Sequence, residues 1–148
     1  MKASHAAAPL PPVTEEQLKA LVPQRVGAWR RKSLGGPAPT GEADQALVVE
    51  AEFRHGKREA TLLVSSLGER AAPPWTGAAI DRRTAEGSEK AYGEAGNSVR
   101  ETVRAHDGHA EVTLQRPDGV VVIVRAYDVP AADLKALAFG VKASAAAR

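Results

Sequence analysis

The chain contains no cysteine, so disulfides, thiolate catalysis and zinc ribbons are excluded. Aromatic residues are scarce: Trp29, Phe53, Trp75, Tyr92, Tyr127 and Phe139 are the full set. Charge of one sign is equally lacking, since twenty Lys and Arg face eighteen Asp and Glu for a net charge of +2. The largest basic cluster, Arg30-Arg31-Lys32, has no aromatic alternating with its cations. It reads as a solvated face, and nucleic acid is disfavoured as a partner. No run of about 18 apolar residues occurs, so no transmembrane segment is expected. Phosphate-cradling loops are missing too, because Gly35-Gly36 leads into Pro37, which has no N–H to offer. No serine lies in a Gly-x-Ser-x-Gly elbow, and no internal repeat of solenoid or propeller length is seen.

What is present centres on His109 to Tyr127, HAEVTLQRPDGVVVIVRAY. Ala110, Val112 and Leu114 alternate with Glu111, Thr113 and Gln115, the two-residue period of a half-buried strand. Pro117-Asp118-Gly119 supplies a fixed φ, a self-bonding carboxylate and a residue free to adopt positive φ, so the chain reverses there. Val120 to Val124 is a run of five β-branched residues, which predicts a central strand covered above and below.

The rest of the chain builds around that hairpin. Met1 to Val13, with three prolines and no periodicity, predicts a flexible tail. Thr14 and Gln17 form a capping-box pattern before a short helix over Glu15–Leu21, which Pro23 stops. Val26 to Ser33 reads as a strand, closed by the Gly35–Gly41 loop. Ala46–Arg54 and Arg58–Leu67 read as a hairpin turning at His55-Gly56-Lys57. Gly68–Thr84 is hard to read, broken by Pro73-Pro74, with a helical turn or two expected over Trp75–Arg83. Ser88–Gly93 and Ser98–Ala105 supply further strands. Pro130 opens a helix over Ala131–Phe139 with Leu134, Leu137, Ala138 and Val141 on one side, and Gly140 stops it. Ala143–Arg148 is expected to fray. The prediction is a single α+β domain over residues 14–142: an antiparallel sheet of six or seven strands flanked by a short N-terminal and a C-terminal helix.

Three constellations carry possible chemistry. His106 and His109 flank Asp107-Gly108, a potential metal pair, but no third ligand clusters with them and an exposed turn is the plainer reading. Glu101 shares a strand face with Val99 and Val103, where it reads either as a desolvated acid or, more simply, as a partner-paired carboxylate. No metal and no cofactor are expected. In the last strand Val121 and Ile123 share a face with Arg125 and Tyr127, so an apolar strip leads into a cation and a phenol. If Arg100 and Arg104 face the same way, three arginines and a tyrosine rim an apolar floor, with Trp75 as a cover. Such a site suits a small amphiphilic anion or an acidic protein partner. The plainer alternative is a helix over the strip with the arginines solvating its edge.

The strand Ser98–Ala105, Trp29-Arg-Arg31, Tyr92-Gly93 and a last strand running into Leu134-Lys-Ala-Leu137 together resemble small uncharacterised bacterial proteins of PsbP-like architecture, over residues 23 to 141. The resemblance implies an antiparallel sheet flanked by helices, in exported or lipid-anchored proteins that bind partners or ligands. The expected function is a non-catalytic ligand- or protein-binding module of the bacterial envelope. A small hydrolase-like enzyme with an acid/base site in a sheet–helix cleft is the alternative. The Ala- and Pro-rich stretch Ala6–Pro12 looks like a mature exported start, so a periplasmic or envelope location is expected if a signal has been removed, and a cytoplasmic one otherwise.

Overall fold

The computed structural model describes residues 14–35, 48–66 and 79–143. The expected tails over 1–13 and 144–148, the bulk of the Gly35–Gly41 loop, and Trp75 with the start of the expected helical turn lie outside them. The described chain forms nine strands and two helices: α1 (Glu15–Leu21), β1 (Arg25–Val26), β2 (Trp29–Gly35), β3 (Val48–His55), β4 (Arg58–Ser66), β5 (Ile80–Thr84), β6 (Gly87–Glu94), β7 (Asn97–Arg104), β8 (His109–Gln115), β9 (Val120–Tyr127) and α2 (Ala131–Phe139). All strands join one antiparallel sheet in the order β1-β2-β3-β4-β9-β8-β7-β6-β5. Two meanders, β1 to β4 and β5 to β9, meet at a seam where their last strands pair, with Leu62 opposite Val124 and Leu63 opposite Ile123.

The count of nine strands exceeds the expected six or seven, for two local reasons. Gly27 takes φ 56° in the turn of a small hairpin, so Val26 pairs back on Trp29 and the expected strand over Val26–Ser33 is divided. A register shift between Arg31 and Ser33 bends β2 further. Ile80–Thr84, placed in an expected helical stretch, is instead the edge strand β5. Its Asp-Arg-Arg sequence has no apolar alternation because only one side of it is paired, and charged side chains suit a sheet edge.

Both helices lie on the same face of the sheet. Thr14 and Gln17 close a reciprocal capping box on α1, each side chain 3.1 Å from the other's backbone nitrogen. Leu18 and Leu21 of α1 are buried over β3 and β4. Leu134, Leu137 and Ala138 of α2 are buried over β8 and β9. The facing strand residues, Val49, Ala51, Phe53, Leu62, Val64, Val112, Leu114, Val122 and Val124, complete the core. A nine-residue helix is marginal by itself, and each buried leucine contributes roughly 1.5–3 kcal/mol to holding it on the sheet.

Gly140 ends α2 in a right-handed conformation, φ −75°. Its lack of a side chain matters for space, since a Cβ there would lie 2.6 and 2.8 Å from the methyls of Val26. The helix ends are joined where the Lys142 nitrogen donates to the Leu21 carbonyl at 2.8 Å. Arg116, at the β8–β9 turn, is buried and donates to the carbonyl oxygens of Val141 (3.3 Å) and Lys142 (2.8 Å). The central strand β9 is therefore fully covered on one side only: Val120, Val122 and Val124 are buried, while Val121 and Ile123 opposite are half-buried.

Candidate functional site

The face of the sheet away from the helices carries the polar residues. Strand pairing aligns them into rows, since side chains directly opposite one another share a face. One row runs Arg82, Glu89, Thr102, Glu111, Arg125, Thr61, Glu52. The next runs Ile80, Ala91, Arg100, Thr113, Ile123, Leu63, Glu50. Arg100, Arg104, Arg125 and Tyr127 accordingly share this face with Val121 and Ile123.

Sharing a face does not make one site of them. Arg125 and Tyr127 line a cleft of about 700 Å³ at the Tyr127 end of the central strands. Arg100 lies in the Ile123 row, where it donates to Glu89 at 3.1 Å; Glu89 also accepts from Arg82 at 2.8 Å. Arg104 forms a two-point pair with Asp107, Nε to Oδ1 at 3.1 Å and Nη2 to Oδ2 at 2.7 Å. The Arg104 guanidinium holds the Asp107 carboxyl down at about 2, and Asp107 in turn raises Arg104, with a smaller contribution from Tyr127. Arg104 therefore borders the cleft through Tyr127 without lining it. Trp75 lies outside the described residues.

The cleft has contributions that sequence spacing did not reveal. The β3–β4 turn brings in Lys57, β4 adds Arg58, Glu59 and Thr61, β3 adds Glu52, and β8 adds His109. The β4–β9 pairing that unites them joins strands more than fifty residues apart, Thr61 against Arg125. No local pattern announces it. Most of these groups are already engaged. Glu59 accepts from Arg54 at 2.7 Å and Lys32 at 3.3 Å, and those cations, Arg54 foremost, hold its carboxyl below the usual range. Arg58 reaches Asp133 of α2 at 3.4 Å. The Thr61 hydroxyl donates to Glu52 at 3.3 Å. Arg125 and Lys57 make no ion pair or side-chain hydrogen bond among the described residues.

Tyr127 is the only exposed large hydrophobic side chain among the described residues, at 60% exposure. The His109 ring meets it edge-on with centroids 5.1 Å apart. Beyond Tyr127, Asp128 adopts φ 56°, left-handed for a residue other than glycine. Its nitrogen donates to the Gly108 carbonyl at 2.9 Å. Its carboxylate lies over Gly108, where an added Cβ would overlap Oδ1.

The remaining sequence candidates have structural partners. Glu101 accepts from the Tyr92 hydroxyl on the helix-covered face, the paired-carboxylate reading. Burial first, then Glu101, raises Tyr92 above its ordinary value. Lys135 crosses the Tyr92 ring at 5.0 Å and pairs with Glu94 at 2.7 Å. His106 Nε2 is 3.7 Å from Asp107 Oδ2, and among the described residues no three His, Asp or Glu side chains gather as a metal site. The basic cluster disperses, with Arg31 donating to the Val22 carbonyl at 3.1 Å and Lys32 reaching Glu59. Among the described residues no helix is long and apolar enough to cross a membrane. In comparisons with family models, curated proteins and solved structures, the chain matches none.

Proposed function

We propose that this protein is a non-catalytic binding module that captures the anionic group of a small ligand over Arg125. The observation that carries the reading is Arg125 itself: an exposed guanidinium on the central strand, unpaired among the described residues, in a cleft of about 700 Å³ beside a tyrosine 60% exposed. A cation so placed would ordinarily be neutralised by a neighbour. Glu111 stands directly opposite it in the sheet, yet the two make no ion pair. An unengaged guanidinium presents its donors as a planar fork suited to a carboxylate or phosphate. Lys57 adds a second cation, unengaged among the described residues, and Arg104 neighbours Tyr127. The PsbP-like resemblance, which implies ligand or partner binding in the bacterial envelope, supports the same reading.

The test is a panel of small carboxylates and phosphates followed by amide and side-chain resonances of the full chain. Shifts centred on Arg125, Tyr127, His109 and Lys57 are expected, and the double variant Arg104→Ala with Arg125→Ala should abolish them. Shifts that survive the double variant, or that centre elsewhere, would overturn the reading.

A further inference from the structure

We infer that the ligand is an acidic sugar, a pyranose bearing one carboxylate, as in a uronic acid. The inference rests on the binding reading above and is drawn from the chemistry of the cleft wall. Apart from Tyr127, Ala126 is the sole apolar residue in the lining, and its side chain is buried on the helix-covered face. Leu63 and Ile123 face each other one row further along and do not line the cleft. An acyl chain would therefore find no apolar floor there.

A dianionic phosphate is poorly matched for a different reason. Glu52, Glu59 and Asp128 stand in the same wall as Arg125 and Lys57. Glu59 is neutralised by its two cations, but Glu52 and Asp128 would repel a second negative charge. With Arg58 paired to Asp133 and Glu59 to its two cations, what the wall still offers is the cations Arg125 and Lys57, the carboxylates Glu52 and Asp128, and an exposed ring. A single carboxylate meets Arg125 and Lys57. Hydroxyl groups, each of which carries one O–H donor, meet the acceptor-only oxygens of Asp128 and of Glu52, which already accepts from Thr61. The apolar C–H face of the pyranose covers Tyr127, whose exposure otherwise leaves a large ring in water. Asp128 reaches this wall from a left-handed backbone, φ 56°, with its carboxylate over Gly108.

Calorimetry and resonance titration of the full chain against glucuronate, glucose, acetate, inorganic phosphate and glutamate, at one salt concentration and pH 7, test the inference. Glucuronate should bind at least about tenfold more tightly than glucose or acetate, the range of one charge-assisted bidentate contact. Arg125→Gln should bring glucuronate down to the level of glucose. Tyr127→Ala should weaken glucuronate and leave acetate unchanged. Thermal melting confirms that both exposed-site variants fold. If acetate, phosphate or glutamate binds as tightly as glucuronate and Arg125→Gln abolishes it, the sugar assignment falls while the anion site stands. If none of the five shifts Arg125 or Tyr127, both fall.

Discussion

Arg116 and Asp118 form a two-point ion pair across Pro117, with Nη2 2.5 Å from Oδ2 and Nε 3.2 Å from Oδ1, and side chains only 10% and 8% exposed. Asp118 also accepts from the Val120 nitrogen at 3.1 Å, and Arg116 continues to the carbonyl oxygens that follow α2. The pair fixes the β8–β9 turn to the end of the C-terminal helix. Removing one partner leaves the other's charge buried without its counter-ion, so Arg116→Met or Asp118→Ala should cost about 3–5 kcal/mol. Urea denaturation of each single variant checks this; a midpoint like the parent's would show that the clamp is dispensable.

Leu137, on the sheet-facing side of α2, is fully buried. Leu137→Ala should destabilise by roughly 2–5 kcal/mol through lost transfer energy and an unfilled cavity. A cooperative melt at the parent temperature would mean that α2 does not depend on this contact.

Gly87 sits at φ 150°, a conformation that side-chain-bearing residues rarely adopt, and an added Cβ would overlap the carbonyl oxygen of Val103. The obstacle is backbone of the neighbouring strand and cannot rotate aside. Gly87→Ala should cost more than about 1 kcal/mol, with amide exchange accelerating first in β6 and β7. Gly35→Ala, which meets nothing within 4 Å, is the matched control.

Asp107 titrates at about 2, held down chiefly by Arg104. Because the folded value lies below the unfolded one, near 3.9, its contribution to stability is complete above about pH 4 and is lost as pH falls through about 2. Asp107→Asn should therefore flatten the acid limb of the stability profile between those values. Carboxyl resonance titration should place the Asp107 midpoint near 2; a midpoint at the ordinary aspartate value would show that the Arg104 contact is not kept in solution.

Much of the architecture is legible where a single local force dominates. The capping box placed α1, the apolar stripe of Leu134 and Leu137 placed α2, and the β-branched run placed β9 at the sheet centre. Ile80–Thr84 was illegible because an edge strand needs no buried face, and Asp81, Arg82 and Arg83 carry no strand period. Arg116 was missed for the opposite reason: a charged residue beside a turn is ordinarily solvent-bound, and its burial depends on α2 arriving from elsewhere in the chain. That Arg100 and Arg104 share a face follows from alternation, but that Arg125 shares it too depends on the register of β7, β8 and β9, Arg100 opposite Thr113 and Thr113 opposite Ile123. Which of them stays unengaged follows from neither, since Glu89 and Asp107 capture two through contacts that strand alternation does not encode.

The seam between β4 and β9 has a consequence for how the protein is made. Residues 61–66 find their partners in 120–125, so for most of synthesis β4 emerges with one edge bare. Its Leu62 and Val64 wait for Val124 and Val122 of β9. The last strand to leave the ribosome is the one that closes the middle of the sheet. Until then the nascent chain carries an open, apolar strand edge of the kind that recruits chaperones or neighbouring chains. A stop codon before residue 120 would leave that edge permanently exposed, and the truncated product is expected to aggregate more readily than the full chain.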